Sequence, residues 1–562
     1  MEEKKENKKE HENEISRREF LGKSLKAGAG VAVTAVAAGV VGKGGSANSL
    51  FARGQQEEEL TQKTGLASGK IGGPTGFNGA ERYQYASNEA AGRAIEGLRK
   101  LKAEGKAPDE IVVMMPPGAV GHWEKAFPEG APTVKSVFKE ETGIDIVPVD
   151  MVETEQMTKL IQDYQTGARS YDVYSFWSSD LADVAASGAL YKLNDFVEKY
   201  EPDWTDPEWG FVGGEVTLAS TSKVLGDIYN VLMDGDYQIW VYRKDLFEDP
   251  KERADFKAKY GWELQWPETW EQLDQISEFF TRPDQGLLGC TDLRNQYWGF
   301  TNWYQRYTSF GNPNRYYFDE TNAKPLIYSD EGIQATKEYV DAMKYHHKDA
   351  VSWGWPEQYA NFAAGGAAIT CAFPNLPKFL DNPDNPDSKI VGKIQTALAP
   401  GRNIGGKLIR RSVWWPSIGH AVAANSKYPE AIYLFLQWAS SGRIFTWMTG
   451  NPAGYYDPVH ISDFRDPVVI DSYHEYHIQV YMDSIKHAAS PIIIPGVTEY
   501  VSALDTNLQE ALTGNKSPEQ AMKDTAAAWE KITDNKGRSK QIEAIKASRQ
   551  GWPKVTDTPT IS

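Results

Sequence analysis

Three times in succession, an amphipathic stretch stops at a glycine and gives way to an apolar run or a turn. Val134, Val137 and Phe138 share a helical face that ends at Gly143, before Ile144 to Val149. Met157, Leu160, Ile161 and Tyr164 share another that ends at Gly167, before Tyr171 to Phe176. Leu181, Val184 and Ala185 follow and stop at Gly188. Glycine closes a helix cheaply because it adopts the left-handed conformation without a Cβ clash. Helices alternating in this way with short apolar strands build βαβ units around a largely parallel sheet. Ile111 to Met115, ending at Pro116, supplies an earlier strand. The predicted class is therefore α/β. Such sheets take ligands outside the carboxyl ends of their strands, which puts the loops after Met115 and Phe176 at the ligand edge.

A second alternating region opens at Ile239-Trp240-Val241-Tyr242. Thr269 and Gln272 have capping-box spacing ahead of Leu273, Ile276 and Phe280. Phe362 to Phe373 reads as a helix end, a glycine turn and a buried strand. With 562 residues, the chain has room for two such units plus extensions.

The formal net charge of −17 argues against a nucleic-acid partner, which needs a basic footprint. Eighteen Trp, 28 Tyr and 21 Phe suit both cores and flat ligand faces. Cys290 and Cys371 are too few for a four-thiolate cluster; they form one disulfide or two buried thiols. His474-Glu475-Tyr476-His477 has the wrong spacing for a zinc protease, and His346-His347 reads as a solvated helix end. No nucleophile elbow or dinucleotide fingerprint occurs. The expectation is no catalytic residue, no cofactor and no metal.

Ser16-Arg17-Arg18-Glu19-Phe20-Leu21-Gly22-Lys23 resembles the twin-arginine export signal at every position. The Gly/Ala-rich stretch Leu25 to Gly42 suits the apolar region of a leader better than a membrane anchor. Cleavage after Ala47 fits the small-residue rule, with Ala52 as a second option. No cysteine stands nearby to carry a lipid. The expected location is periplasmic or extracellular, not lipid-anchored, with the twin-arginine translocase as the export partner through Arg17 and Arg18. Residues 48–107 read as a polar extension with one helix, Ala86 to Glu104, either strapped to the body or free as a stalk.

Four blocks carry a family resemblance. They are Val137-Phe138-Lys139-Glu140-Glu141-Thr142-Gly143-Ile144; Tyr171-Asp172-Val173 with Ala186-Ser187-Gly188-Ala189-Leu190; Tyr242-Arg243-Lys244-Asp245-Leu246-Phe247 with Pro267-Glu268-Thr269-Trp270-Glu271-Gln272-Leu273; and Phe362-Ala363-Ala364-Gly365-Gly366-Ala367-Ala368-Ile369. Their order over roughly 109–530 resembles the extracellular solute-binding protein family, the maltose-binding-like components of ABC-type importers. The resemblance implies two α/β lobes joined by hinge segments, with a solute clamped between them. Lobe one is placed at 108–233 plus 415–455 and lobe two at 238–396 plus 485–550. It implies a monomer that binds a sugar, oligosaccharide or polyol, partners a membrane permease and is not an enzyme. A secreted carbohydrate-active hydrolase using cleft carboxylates is the alternative. The stretch 452–495 falls outside the resemblance.

The resemblance also nominates ligand-binding residues. Asp236 aligns with a ligand carboxylate at the first hinge, and Asp234 lies on the same side if the segment is extended. The bland reading is an Asp-Gly-Asp turn with solvated acids. Phe176, Trp177 and Asp180 follow the third strand, where Asp180 serves equally as a helix N-cap. Trp298, Trp303 and Tyr304 fall near one family aromatic, Phe373 near a stacking position occupied here by Asn375, and Tyr500 near the last aromatic. Trp414 and Trp415 lie at the second crossing. His122 and Trp123 follow the first strand; a lone loop histidine is usually just solvated.

Overall fold

The computed structural model describes residues 65–311, 316–413 and 417–551. Arg17, Arg18, the leader, Trp414 and Trp415 lie outside the described residues.

The glycine-stopped series folds as read. Strands β1 (Glu110–Met115), β2 (Asp145–Asp150) and β3 (Val173–Trp177) run parallel, with helices Val134–Thr142 and Glu153–Thr166 between them. Both helices end at glycines with positive φ, Gly143 at 69° and Gly167 at 74°. The second helix is turned from the expected face. Gln156, Leu160 and Asp163 point inward and Tyr164 is exposed, because Asp163 accepts a 2.8 Å bond from the Tyr174 hydroxyl of β3.

The short pair β4 (Lys223–Val224) and β5 (Asp227–Ile228) precedes β6 (Asn230–Leu232). The chain then enters a second sheet through β7 (Ile239–Arg243), β8 (Leu288–Thr291), β9 (Ala367–Ala372) and β10 (Ile394–Ala397). The hairpin β11 (Gly401–Ile404) and β12 (Lys407–Arg410) and the short β13 (Ser412–Val413) lead back to β14 (Ile418–Val422) in the first sheet. The sheet orders are β2-β1-β3-β14-β6 and β10-β7-β9-β8.

Each sheet has one reversed strand, β14 in the first and β7 in the second. The reason is topological. Parallel strands end at the edge facing the other sheet, so a chain arriving from that sheet begins there and must run the opposite way. Between the sheets, the Gln238 amide donates to Val413 O at 3.0 Å, and β13 pairs in parallel with β15 (Ala488–Ala489). These neighbouring segments join the two lobes.

The described part of the polar extension is a strap. Helix Ala90–Ala103 buries Ala94, Ile95 and Leu98 against helix Pro429–Ala439. Gly97 permits that approach, since a Cβ there would sit 2.8 Å from Leu434 Cδ1. Tyr85 donates to the Glu141 carboxylate and accepts from Trp438 Nε1.

The Thr269–Gln272 capping box forms as read. Cys290 and Cys371 are free and buried. His346 is not solvated: it is buried, with Nε2 2.8 Å from Asp292 Oδ1. Among the described residues, no helix is long and apolar enough to cross a membrane.

Candidate functional site

The carboxyl ends of β1, β2 and β3 face lobe two across a narrow cavity. Pro117, Gly118, Glu153 and Trp177 line it from the first sheet, and Asp236 from the crossing segment. Trp298, Trp355, Tyr359, Phe373, Asn375 and Phe379 line it from the second lobe, and Ala453 to Tyr455 close it from a third side. The cavity volume is about 800 Å3. Aromatic contacts draw the lobes together across it. Trp298 makes edge contacts with both Trp177 and Phe373 at 5.7 Å, and Trp355 meets Tyr359 at 5.5 Å.

Asp234 and Asp236 are not a solvated turn. They are 0% and 3% exposed, and they meet Asp457, with ligand oxygens of all three within 4.8 Å of one another. Gly235 allows this, because a Cβ there would lie 2.2 Å from Pro458 O. Asp234 Oδ1 accepts from the amides of Gly235 at 2.8 Å and Asp457 at 2.7 Å. Asp457 Oδ1 accepts from the Tyr473 hydroxyl at 2.9 Å. Burial pushes all three carboxyls above the usual range, and each of Asp234 and Asp236 is raised further by neighbouring carboxylates. Lys378 is buried beside them, and burial lowers its ammonium against the pull of Asp457 and Asp234. It donates to Gly454 O at 3.2 Å and to the Tyr473 hydroxyl at 3.3 Å.

Of the nominated residues, the structure brings Asp236, Trp177, Trp298 and Phe373 to the cleft and sets Asp234 directly behind. Others go elsewhere. Strand alternation turns Phe176 away from Trp177 into the cluster with Met114, Leu160 and Tyr174. His122 is buried, stacked on Tyr456 at 4.6 Å, with Nε2 accepting the Tyr456 amide at 2.5 Å. Trp123 packs on Phe435 in the core of lobe one. Trp303 donates to Thr336 Oγ1 at 2.8 Å and stacks on Tyr307; Tyr304 lies in the same core. Tyr500 shares a 2.8 Å hydroxyl contact with Thr533 and packs edge-on to Trp529. These placements correct the expectation that Phe176, His122, Trp123, Trp303, Tyr304 and Tyr500 face a solute.

Asp180 stands at the N-cap position of helix Leu181–Ala186 without capping it. It lines a neighbouring interlobe pocket with Tyr297, Thr498 and Asp505. Burial, then the charge of Asp183, pushes its carboxyl up to about 7.

Sequence reasoning missed Trp355, Tyr359, Tyr455, Lys378 and Asp457. Tyr455 and Asp457 lie in the 452–495 stretch, whose helices Pro467–Tyr473 and Glu475–Lys486 pack against helix Asn375–Leu380 and β10 of the second lobe. No local pattern marks that docking.

A profile of the bacterial extracellular solute-binding protein family matches residues 121–441. The chain belongs to that family. A curated relative in Sinorhizobium fredii, a probable amino-acid ABC transporter periplasmic-binding protein, is 24% identical over 61% of this chain and 72% of its own. Among solved structures, this solute-binding protein is similar to one from Agrobacterium vitis with bound D-mannitol (22% identity, TM-score 0.60, 76% of this chain and 99% of that one). It is also similar to one from Agrobacterium radiobacter in complex with ribitol (19%, 0.59, 75% and 98%) and to a maltose-bound T. maritima protein (19%, 0.59, 75% and 99%). These neighbours share the two-lobed fold.

Proposed function

We propose that this protein is the solute-capturing component of an ABC-type importer and that it closes its lobes on a sugar or polyol. The observation that carries the reading is the interlobe cavity, with aromatic walls from both lobes and Asp236 at its floor. Aromatic faces cover the apolar faces of such solutes, and carboxylates accept their hydroxyl protons. Among the described residues, no Lys, Arg or His lines the cavity, so they offer no side-chain cation to the carboxylate of an amino acid, which disfavours the ligand class named for the Sinorhizobium relative. The polyol and maltose complexes of the fold neighbours fit the same chemistry. The hydrolase alternative gains no support from the comparisons.

The test is a thermal-shift screen of the mature chain against sugars, polyols and amino acids, followed by mass spectrometry of the recovered solute. A ligand at 100 times its Kd adds about 2.7 kcal/mol, so a binder stands out. Stabilisation by a sugar or polyol recovered unchanged supports the reading. Stabilisation by amino acids alone, or turnover of the solute, overturns it. Export by the twin-arginine route rests on the Ser16–Lys23 pattern. Replacing Arg17 and Arg18 by Lys should leave the precursor in the cytoplasm, and normal export of that double variant would refute it.

A further inference from the structure

We propose that the carboxylate trio Asp234, Asp236 and Asp457 at the cleft floor binds one hard divalent cation of the Ca2+ class. Asp234 and Asp457 each have one oxygen committed to a hydrogen bond and one left over. Asp234 Oδ2, Asp236 Oδ2 and Asp457 Oδ2 are buried and accept from no N–H or hydroxyl group among the described residues. The three residues are at most 3% exposed to bulk solvent. A buried, unpartnered carboxylate oxygen is costly. One carboxylate oxygen from each residue lies within 4.8 Å of the others, close enough to share one ion, since at metal–oxygen distances of about 2.3–2.6 Å donors on opposite sides stand about 5 Å apart.

The nearby cation does not cover them: the hydrogen bonds of Lys378 go to Gly454 O and the Tyr473 hydroxyl. The donor set is all oxygen, which selects a hard cation over the nitrogen- and sulfur-bound metals. Asp236 lines the cavity, so the ion has a route in from the cleft and its remaining positions face the cavity. That a solute hydroxyl fills one of them rests on the sugar or polyol reading above; the ion site itself does not.

The mature protein, stripped with EDTA and dialysed free of chelator, is titrated with Ca2+ and separately with Mg2+ by calorimetry. Terbium luminescence sensitised through the cleft tryptophans serves as a second readout. The expected result is one ion per chain, a higher melting temperature with the ion than in EDTA, and at least about tenfold weaker binding in Asp236→Asn. Asp457→Asn, checked for folding by circular dichroism, gives the same loss should the first variant fold poorly. Absence of uptake of either ion, or unchanged affinity in both folded variants, overturns the proposal. So does displacement of terbium by a protonated amine in a protein that takes up neither Ca2+ nor Mg2+, because the trio then seats a solute ammonium. Solute binding is measured in the same samples with and without ion. Sugar binding without metal uptake defeats this proposal alone, and metal uptake without sugar or polyol binding defeats only the functional reading.

Discussion

Trp177, the last residue of β3, meets Trp298 of the second lobe edge to face, with ring centroids 5.7 Å apart and planes at 87°. The contact closes the aromatic wall of the cleft from both lobes at once. Trp298→Ala and Trp177→Ala should each weaken solute binding, since buried aromatic anchors are worth about 2 kcal/mol or more, roughly thirtyfold in affinity. Calorimetry with the solute found in the screen checks this. An affinity equal to wild type in both variants would move the solute away from this wall.

Asp183 belongs to helix Leu181–Ala186 of lobe one, yet it caps helix Val497–Leu512 of lobe two. Its carboxylate accepts from the Gly496 amide at 2.5 Å, the Thr498 amide at 3.0 Å and the Thr498 hydroxyl at 2.8 Å. These bonds exist only while the lobes are together. Loss of an N-cap costs about 1 kcal/mol, so Asp183→Ala should shift the chain toward the open form and weaken solute binding roughly fivefold. Small-angle scattering should show a larger radius of gyration than wild type at subsaturating solute; identical radii and affinities would remove the latch.

The pH response follows from Asp180. Its carboxyl is raised from 3.8 to about 7 by burial and by Asp183. Asp505 and Tyr297 face the same pocket, with Asp505 pushed up to about 6 by burial against the bond from the Tyr297 amide. A carboxyl raised in the folded state binds a proton that the unfolded chain has already lost. Its contribution is thus present at low pH and falls away as pH rises from about 4 to about 7. Asp180→Asn should gain stability relative to wild type across that window and hold the gain above it. A wild-type-minus-variant difference in unfolding free energy that stays flat from about pH 4 to pH 8 would refute the assignment.

Asp292 shows the opposite sign. Burial disfavours its charge, but the Arg294 guanidinium and His346 outweigh that and hold the carboxyl well below the usual range. Its contribution is therefore present at neutral pH and lost as pH falls into the acid range. Asp292→Asn leaves Arg294, 1% exposed, as a buried cation without its partner, which costs about 3–5 kcal/mol. Urea unfolding at neutral pH should show that loss, and a change below about 1 kcal/mol would mean the pair is not buried in solution.

The local order of the chain determined a good deal by itself. Gly143, Gly167 and the spacing of apolar residues around them specify helices and strands that the chain can form from near neighbours alone. The same pattern marks the strand ends, so the end of β3 that carries Trp177 is legible as ligand edge from the sequence. The family blocks placed Asp236 at the crossing. Which aromatic faces the cleft was not legible, because it depends on which side of an element each residue occupies. Phe176 and Trp177 are adjacent and point to opposite faces of β3, and Trp303, Tyr304 and Tyr500 are turned into cores by helices whose docking is set elsewhere. Asp457 and Lys378 are far apart in sequence and come together only because the 452–495 stretch packs across both lobes. Their carboxylate and ammonium acquire meaning from burial beside Asp234 and Asp236, and burial is a property of the folded whole.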